Sequence, residues 1–159
     1  MKDEKPVIIV GGGIGGMACA LALARRQIVS VVLEAASEFR VYGSGLQFCP
    51  NTFKMVDYLG LLQRFYDVSI FPEHLCYHDG LTGFKFFDLP LGKEFVERFG
   101  YPFGSFRRND VIQVFYEECQ KSPFIQLVAD AKIQEVYQEE DRAVAVSKTG
   151  KEYAGRLLI

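Results

Sequence analysis

Short apolar runs alternate along the chain with glycines, prolines and charged pairs, and their period predicts an α/β protein. Pro6 to Val10 is a short β-branched run without a polar interruption. Such a run reads as a strand buried on both faces of a parallel sheet. The cluster Gly11 to Gly16 follows, and Met17 to Gln27 is rich in Ala, Leu and Arg, a composition that favours helix. Val29 to Leu33 is a second run dominated by Val and Leu. Strand, helix and strand over about 30 residues make a right-handed βαβ unit.

Beyond that unit the pattern is more broken. Glu38 to Cys49, with Gly43 and Gly45, predicts a loop. Pro50 suits a first helical turn, and Phe53, Val56, Tyr58 and Leu59 begin an apolar face that Gly60 terminates. A second short helix is predicted from Leu61 to Tyr66. Ser69 to His78 and Phe84 to Leu89 predict two strands, and Asp79-Gly80-Leu81-Thr82-Gly83 supplies turn chemistry for a hairpin. Lys93 to Phe99 predicts a short helix closed by Gly100. Asn109 or Asp110 is the expected cap of a helix running to about Lys121, with Val111, Ile112, Val114 and Phe115 on its buried face and Pro123 beyond its end. Three short strands follow, Phe124 to Val128, Lys132 to Gln138 and Ala143 to Lys148, then a last strand from Tyr153 to Ile159. Its apolar end, Leu157-Leu158-Ile159, reads as a strand stopping in mid-fold.

Composition narrows the class. With 159 residues, 49% hydrophobic and 24% charged, the chain can bury a core and does not read as disordered. A net charge of −2 gives no reason to expect nucleic acid or an anionic membrane as partner. No apolar run approaches the roughly 20 residues that span a bilayer. Pro6 to Val10 is too short for a secretory signal. Cys19, Cys49, Cys76 and Cys119 are scattered without a C-x-x-C pair, which points to reduced thiols in an intracellular compartment.

The chemistry concentrates in the glycine cluster. Gly11, Gly13 and Gly16 form G-x-G-x-x-G between a strand and a helix. The first lets the chain turn sharply, the second lets a pyrophosphate approach the main chain, and the third lets helix pack closely on strand. The helix start then offers unpaired N–H groups and a positive dipole end to phosphates. Glu34, closing the second strand, stands where a carboxylate accepts the hydroxyl hydrogens of an adenosine ribose. It would repel a 2′-phosphate, so NADP is disfavoured there. This fingerprint alone does not separate FAD from NAD. His74, Cys76 and His78 form H-x-C-x-H on a predicted strand, where period two puts them on one face. No fourth ligand with matching spacing is visible, so no metal is expected.

Several separated segments carry a family likeness. Tyr42-Gly43-Ser44-Gly45-Leu46-Gln47-Phe48-Cys49-Pro50-Asn51 is similar to a G-A-G-I-Q-x-x-P-N segment, and Arg107-Arg108-Asn109-Asp110-Val111-Ile112-Gln113 stands where that group reads H-R-A-D-L-L-Q. Leu91 to Gly100 is similar to its linker into the latter motif. Together with Val7 to Glu34, these stretches resemble the N-terminal part of the class A flavoprotein aromatic hydroxylases, closest to the salicylate and 3-hydroxybenzoate 6-hydroxylase group.

The resemblance implies a Rossmann-like FAD-binding βαβ with parallel sheet, a β-meander, and the first strands of a substrate-binding sheet. Residues 1–68 would be the βαβ and following helices, 69–106 the start of the substrate-domain sheet, and 107–159 a return to the FAD-binding domain, truncated at its C-terminus. It implies that Gly11, Gly13 and Gly16 bind the FAD pyrophosphate and Glu34 the adenosine ribose, with Ile14, Gly15 and Ala35 also among the cofactor-binding residues. Arg108 would reach the phosphate and ribose region, Arg40 would line the same cleft, Gln47 would lie near the flavin ring, and the Ile133 backbone would face the adenine. Arg107 departs from the family histidine. The implied reaction is hydroxylation of a phenolic aromatic acid with NAD(P)H as co-substrate and O₂, in the cytoplasm; the resemblance assigns no catalytic residue. Such a chain alone would be incomplete for catalysis. Two other readings stay open: a non-catalytic dinucleotide-binding module associating through its unpaired strands or as a homo-oligomer, and an NAD-linked oxidoreductase.

Overall fold

The computed structural model describes residues 5–39 and 43–159. In chain order its elements are β1 (Val7–Val10), α1 (Ile14–Ala24), β2 (Ser30–Leu33), β3 (Gly45–Phe48), α2 (Pro50–Tyr58), α3 (Leu62–Asp67), β4 (His74–His78) and β5 (Lys85–Pro90). Then come α4 (Lys93–Phe99), β6 (Gly104–Arg107), α5 (Arg108–Lys121), β7 (Ile125–Val128), β8 (Ile133–Gln138), β9 (Ala143–Ser147), β10 (Glu152–Gly155) and β11 (Leu157–Leu158). They divide into two compact units, one of residues 1–42 with 111–159 and one of residues 43–110.

The first unit is built on a parallel sheet in the order β11-β1-β2-β7. The register runs Val7↔Ser30 to Val10↔Leu33 between β1 and β2, and Ser30↔Ile125 to Leu33↔Val128 between β2 and β7. Both faces of β1 are covered, which explains its uninterrupted apolar sequence: Val7, Ile8 and Ile9 are buried. On one face α1 packs through Met17, Ala20 and Leu21. On the other lies an antiparallel meander, β10-β9-β8. There Ile8, Val31 and Leu33 form one cluster with Ala131 and Ala145, joined by Val128, Ile133, Tyr153 and Leu158.

Three expectations change in this unit. The first helix begins at Ile14, inside the glycine cluster, rather than at Met17. Glycine's low propensity is overridden there because the turn at the C-terminal end of β1 delivers the chain directly into helix. The segment Phe124 to Val128 joins the parallel sheet and not the meander. Tyr153 to Ile159 is two strands: β10 pairs with β9, and after Arg156 the chain crosses sheets so that β11 pairs with β1.

In the second unit, β3 and β6 pair antiparallel from Gly45↔Arg107 to Phe48↔Gly104. Both escaped the sequence reading, which put β3 in a loop and gave β6 no element: they are short, glycine-bearing and weakly alternating. Their pairing assembles an aromatic core from Phe48, Phe53, Phe65 and Phe106, with Phe48 and Phe106 centroids 4.4 Å apart. The abundant phenylalanine is thus partly a packing material. Strands β4 and β5 form the expected hairpin, but β4 begins at His74, not Ser69. Ahead of it Ile70 makes an isolated bridge to Ser105. Helix α4 ends at Gly100, whose φ of 81° is left-handed. Helix α5 starts at Arg108, so Asn109 and Asp110 lie within its first turn and are not its cap.

Candidate functional site

The first unit carries the glycine turn. Gly11 leaves β1 with φ at +116°, a conformation that L side chains rarely adopt, and its N–H donates to the Leu33 carbonyl at 2.8 Å. Gly16 sits where α1 crosses the strand: a Cβ there would lie 2.0 Å from the Gly11 carbonyl oxygen and 3.3 Å from Ile9. Nothing stands within 4 Å of where a Cβ of Gly13 or Gly15 would be. The main chain is therefore bare at the start of α1. Gly13 is the helix N-cap and makes no side-chain cap, so the first-turn N–H groups have no acceptor inside the helix. A strand exit, an open main chain and free N–H groups at a helix start make an anion cradle.

Glu34 faces that cradle. Its Oε2 accepts from the Gly12 N–H at 2.8 Å, and its Oε1 accepts from the Ala36 N–H at 2.8 Å. Each carboxylate oxygen keeps a further lone pair for a ligand hydroxyl. The Ala131 N–H donates to the Glu34 carbonyl and the Asp130 N–H to that of Ala36, which holds the segment around exposed Ala35. The ring of Phe39 lies against Gly12: a Cβ there would be 2.4 Å from Phe39 Cε1 and 2.9 Å from Glu34 Oε2. Phe39 in turn stacks on Tyr116 of α5. Gly12, Phe39 and Tyr116 were missed from sequence. Gly12 had a signal, being the glycine that the G-x-G-x-x-G pattern leaves unassigned. Phe39 and Tyr116 had none.

The other expected site residues fall as follows. Ile133 opens β8 in the first unit, half-buried against the cluster around Ile8. Gln47 lies exposed on β3 in the second unit, opposite Ser105. Arg108, also in that unit, lies along Gly43, where a Cβ would stand 2.7 Å from Arg108 Cδ. Arg107 is exposed opposite Gly45. Arg40 lies outside the described residues.

The H-x-C-x-H segment is rearranged by the fold. Cys76 is paired directly across from Asp88, and His74 Nδ1 lies 2.7 Å from Asp88 Oδ1. The Cys76 thiol lies 3.5 Å from the same oxygen. The register shifts between Tyr77 and His78, and His78 Nδ1 lies 3.0 Å from the Gly83 carbonyl. Hydrogen bonds from Lys85 and His74 hold the Asp88 carboxyl well below the usual carboxylate range. All four cysteines are free thiols. Among the described residues no helix is long and apolar enough to cross a membrane.

Comparison with known proteins agrees with this geometry. Residues 4–154 match the family model described as "FAD binding domain". The 3-hydroxybenzoate 6-hydroxylase of Polaromonas naphthalenivorans strain CJ2 is 32% identical over 156 residues, which are 98% of this chain and 39% of that protein. The crystal structure of p-nitrophenol 4-monooxygenase PnpA from Pseudomonas putida DLL-E4 superposes with a TM-score of 0.86 at 21% identity, over 99% of this chain and 40% of that one. Klebsiella pneumoniae HpxO, complexed with FAD and uric acid, gives a TM-score of 0.82 at 21% identity, over 99% of this chain and 39% of that one. These likenesses of structure show a shared fold. The chain spans about two fifths of the length of the curated relatives it matches.

Proposed function

Since this chain belongs to the FAD-binding-domain family, we propose that it is the FAD-holding portion of a flavin-dependent monooxygenase that hydroxylates a phenolic aromatic acid with NAD(P)H and O₂. The observation that carries the reading is the bare main chain at Gly13 and Gly15 with the Glu34 carboxylate drawn against the adjoining Gly12 N–H. Those groups fit the adenosine diphosphate half of FAD. Gly11, Gly13, Ile14, Gly15 and Gly16 would hold the pyrophosphate through main-chain N–H groups. Glu34 would accept the ribose hydroxyls beside Ala35, and the Ile133 backbone would face the adenine. Gln47 and Arg108 are assigned to the isoalloxazine and phosphate ends. For Arg108 the chemistry suits, because a guanidinium pairs two of its N–H groups with phosphate oxygens.

When bound, flavin supplies the electron transfer and oxygen chemistry, and the protein supplies binding, orientation and water exclusion. The chain's own task is to fix the nucleotide end so that the reactive ring is presented in one orientation. We assign residues 69–106 to the start of the substrate-facing sheet. That assignment fits the β4–β5 hairpin, whose Tyr77, Phe84, Phe86 and Phe87 side chains are exposed. The same exposed hairpin suits association with further chain or another copy. The four free, scattered thiols support a cytoplasmic setting.

The test is a visible spectrum of the purified chain before and after incubation with FAD and desalting. The chain has no Trp, so flavin emission separates readily from the protein's tyrosine signal. Oxidised-flavin bands at one equivalent are expected. A colourless chain that ignores added FAD, or binds NAD more tightly by calorimetry, would overturn the reading.

A further inference from the structure

We propose that His74, Cys76 and Asp88 form a binding site for a soft divalent cation, Zn²⁺ by chemical class, on the polar face of the β4–β5 hairpin. The inference uses none of the residues assigned to FAD: His74, Cys76 and Asp88 all lie on the β4–β5 hairpin. Sequence spacing offered His74, Cys76 and His78 and no further ligand. The fold replaces His78 by Asp88, which strand pairing brings directly opposite Cys76. One ligand atom from each of the three lies within 4.8 Å of the others.

The distances suit an ion. A tetrahedral Zn²⁺ takes sulfur at about 2.3 Å and nitrogen or oxygen at about 2.0–2.2 Å, which puts its ligand atoms roughly 3.2–3.7 Å apart. The Cys76 thiol and Asp88 Oδ1 already stand 3.5 Å apart. His74 Nδ1 and Asp88 Oδ1, at 2.7 Å, need to open by less than about 1 Å as the ion replaces the shared proton. Imidazole, thiolate and carboxylate together favour Zn²⁺ over Mg²⁺ or Ca²⁺, which seek oxygen alone. All three side chains are exposed, so the ion has an entry path and solvent supplies the fourth ligand.

The arrangement is poorly suited to nucleophilic catalysis. Asp88 sits between the histidine and the cysteine, so His74 is not placed to take the thiol proton. Lys85 is the competing cation: its Nζ lies 2.5 Å from Asp88 Oδ2, leaving Oδ1 for the ion.

The test titrates the full 159-residue chain with Co²⁺ under reducing conditions. One equivalent is expected to give a sulfur-to-cobalt charge-transfer band with the intense visible bands of a four-coordinate site, and Zn²⁺ should bleach both. Cys76→Ser should remove the charge-transfer band. Asp88→Asn should weaken binding by more than the ~10-fold that loss of an outer-shell partner costs. His78→Asn should leave it unchanged, and Lys85→Met should tighten it. A measurement on the unmutated chain stands beside these: Zn²⁺ should protect Cys76 from iodoacetamide while exposed Cys49 continues to react. No charge-transfer band with Co²⁺ in excess, a band that survives Cys76→Ser, or Cys76 alkylation unaffected by Zn²⁺ would each overturn the site.

Discussion

The ring of Phe39 stacks on that of Tyr116, with centroids 5.6 Å apart and planes 24° from parallel. Because Phe39 also covers Gly12, this pair ties helix α5 to the turn that carries the Glu34 carboxylate. Phe39→Ala is expected to cost about 3 kcal/mol in urea denaturation, in the range of large-to-small core changes. A double-mutant cycle with Tyr116→Leu should give a coupling of about 0.5–1.5 kcal/mol. Strict additivity would mean that the rings do not support one another.

Glu34→Ala and Gly13→Val should each abolish FAD retention while leaving the far-ultraviolet circular dichroism unchanged. Gly13 has φ −76° and ψ −174°, a backbone that valine adopts without strain, so the added side chain acts by filling the cradle. Unchanged FAD affinity in either variant would withdraw the assignment of that residue.

Two neighbouring glycines should behave oppositely. Gly16→Ala places a methyl 2.0 Å from the Gly11 carbonyl oxygen, a backbone atom that cannot swing aside. A loss of roughly 1–3 kcal/mol is expected, as for overpacked cores. Gly15→Ala meets open space. It should gain about 0.4–1 kcal/mol by restricting the unfolded chain, yet weaken FAD binding. Thermal melts and flavin titrations of the two variants decide it, and equal stabilities would refute the packing account.

Cys119 is buried against the Met17 carbonyl at 3.7 Å, and burial, aided by the Glu118 charge, pushes its thiol from an ordinary value of 9.0 up to about 12. Its ionised form is thus favoured only in the unfolded chain. Stability from this group is whole below about pH 9, where both states keep the proton, and is lost progressively as pH rises toward 12. The full loss is on the order of 4 kcal/mol, at 1.36 kcal/mol per unit. Urea midpoints measured from pH 8 upward should fall more steeply for the native chain than for Cys119→Ala. Parallel curves would contradict this assignment.

The legibility of these features follows from their range in sequence. The βαβ unit was readable because its signals are local: apolar runs, glycines at fixed offsets, and an acid at the second strand's end. The hairpin was readable from Asp79 to Gly83 for the same reason. What escaped depended on distant partners. Gly45–Phe48 is a strand only because Gly104–Arg107 pairs with it. Asp88 joins Cys76 only through hairpin register. The contact of Phe39 with Tyr116 follows from how α5 packs in the first unit, which no local pattern encodes.

The crossing after Arg156 has a consequence for biogenesis. β11 lies beside β1, and the Val10 N–H donates to the Ile159 carbonyl at 2.8 Å, one residue before the glycine turn. A ribosome releases the opening strand long before its neighbour emerges, so that edge must wait, unpaired, for the rest of the described chain to be synthesised. Loops of such length close slowly and leave the waiting strand open to the wrong partner. Shortening the chain by its final few residues should therefore be felt first as aggregation during expression, with the nucleotide cradle the earliest part to lose its shape.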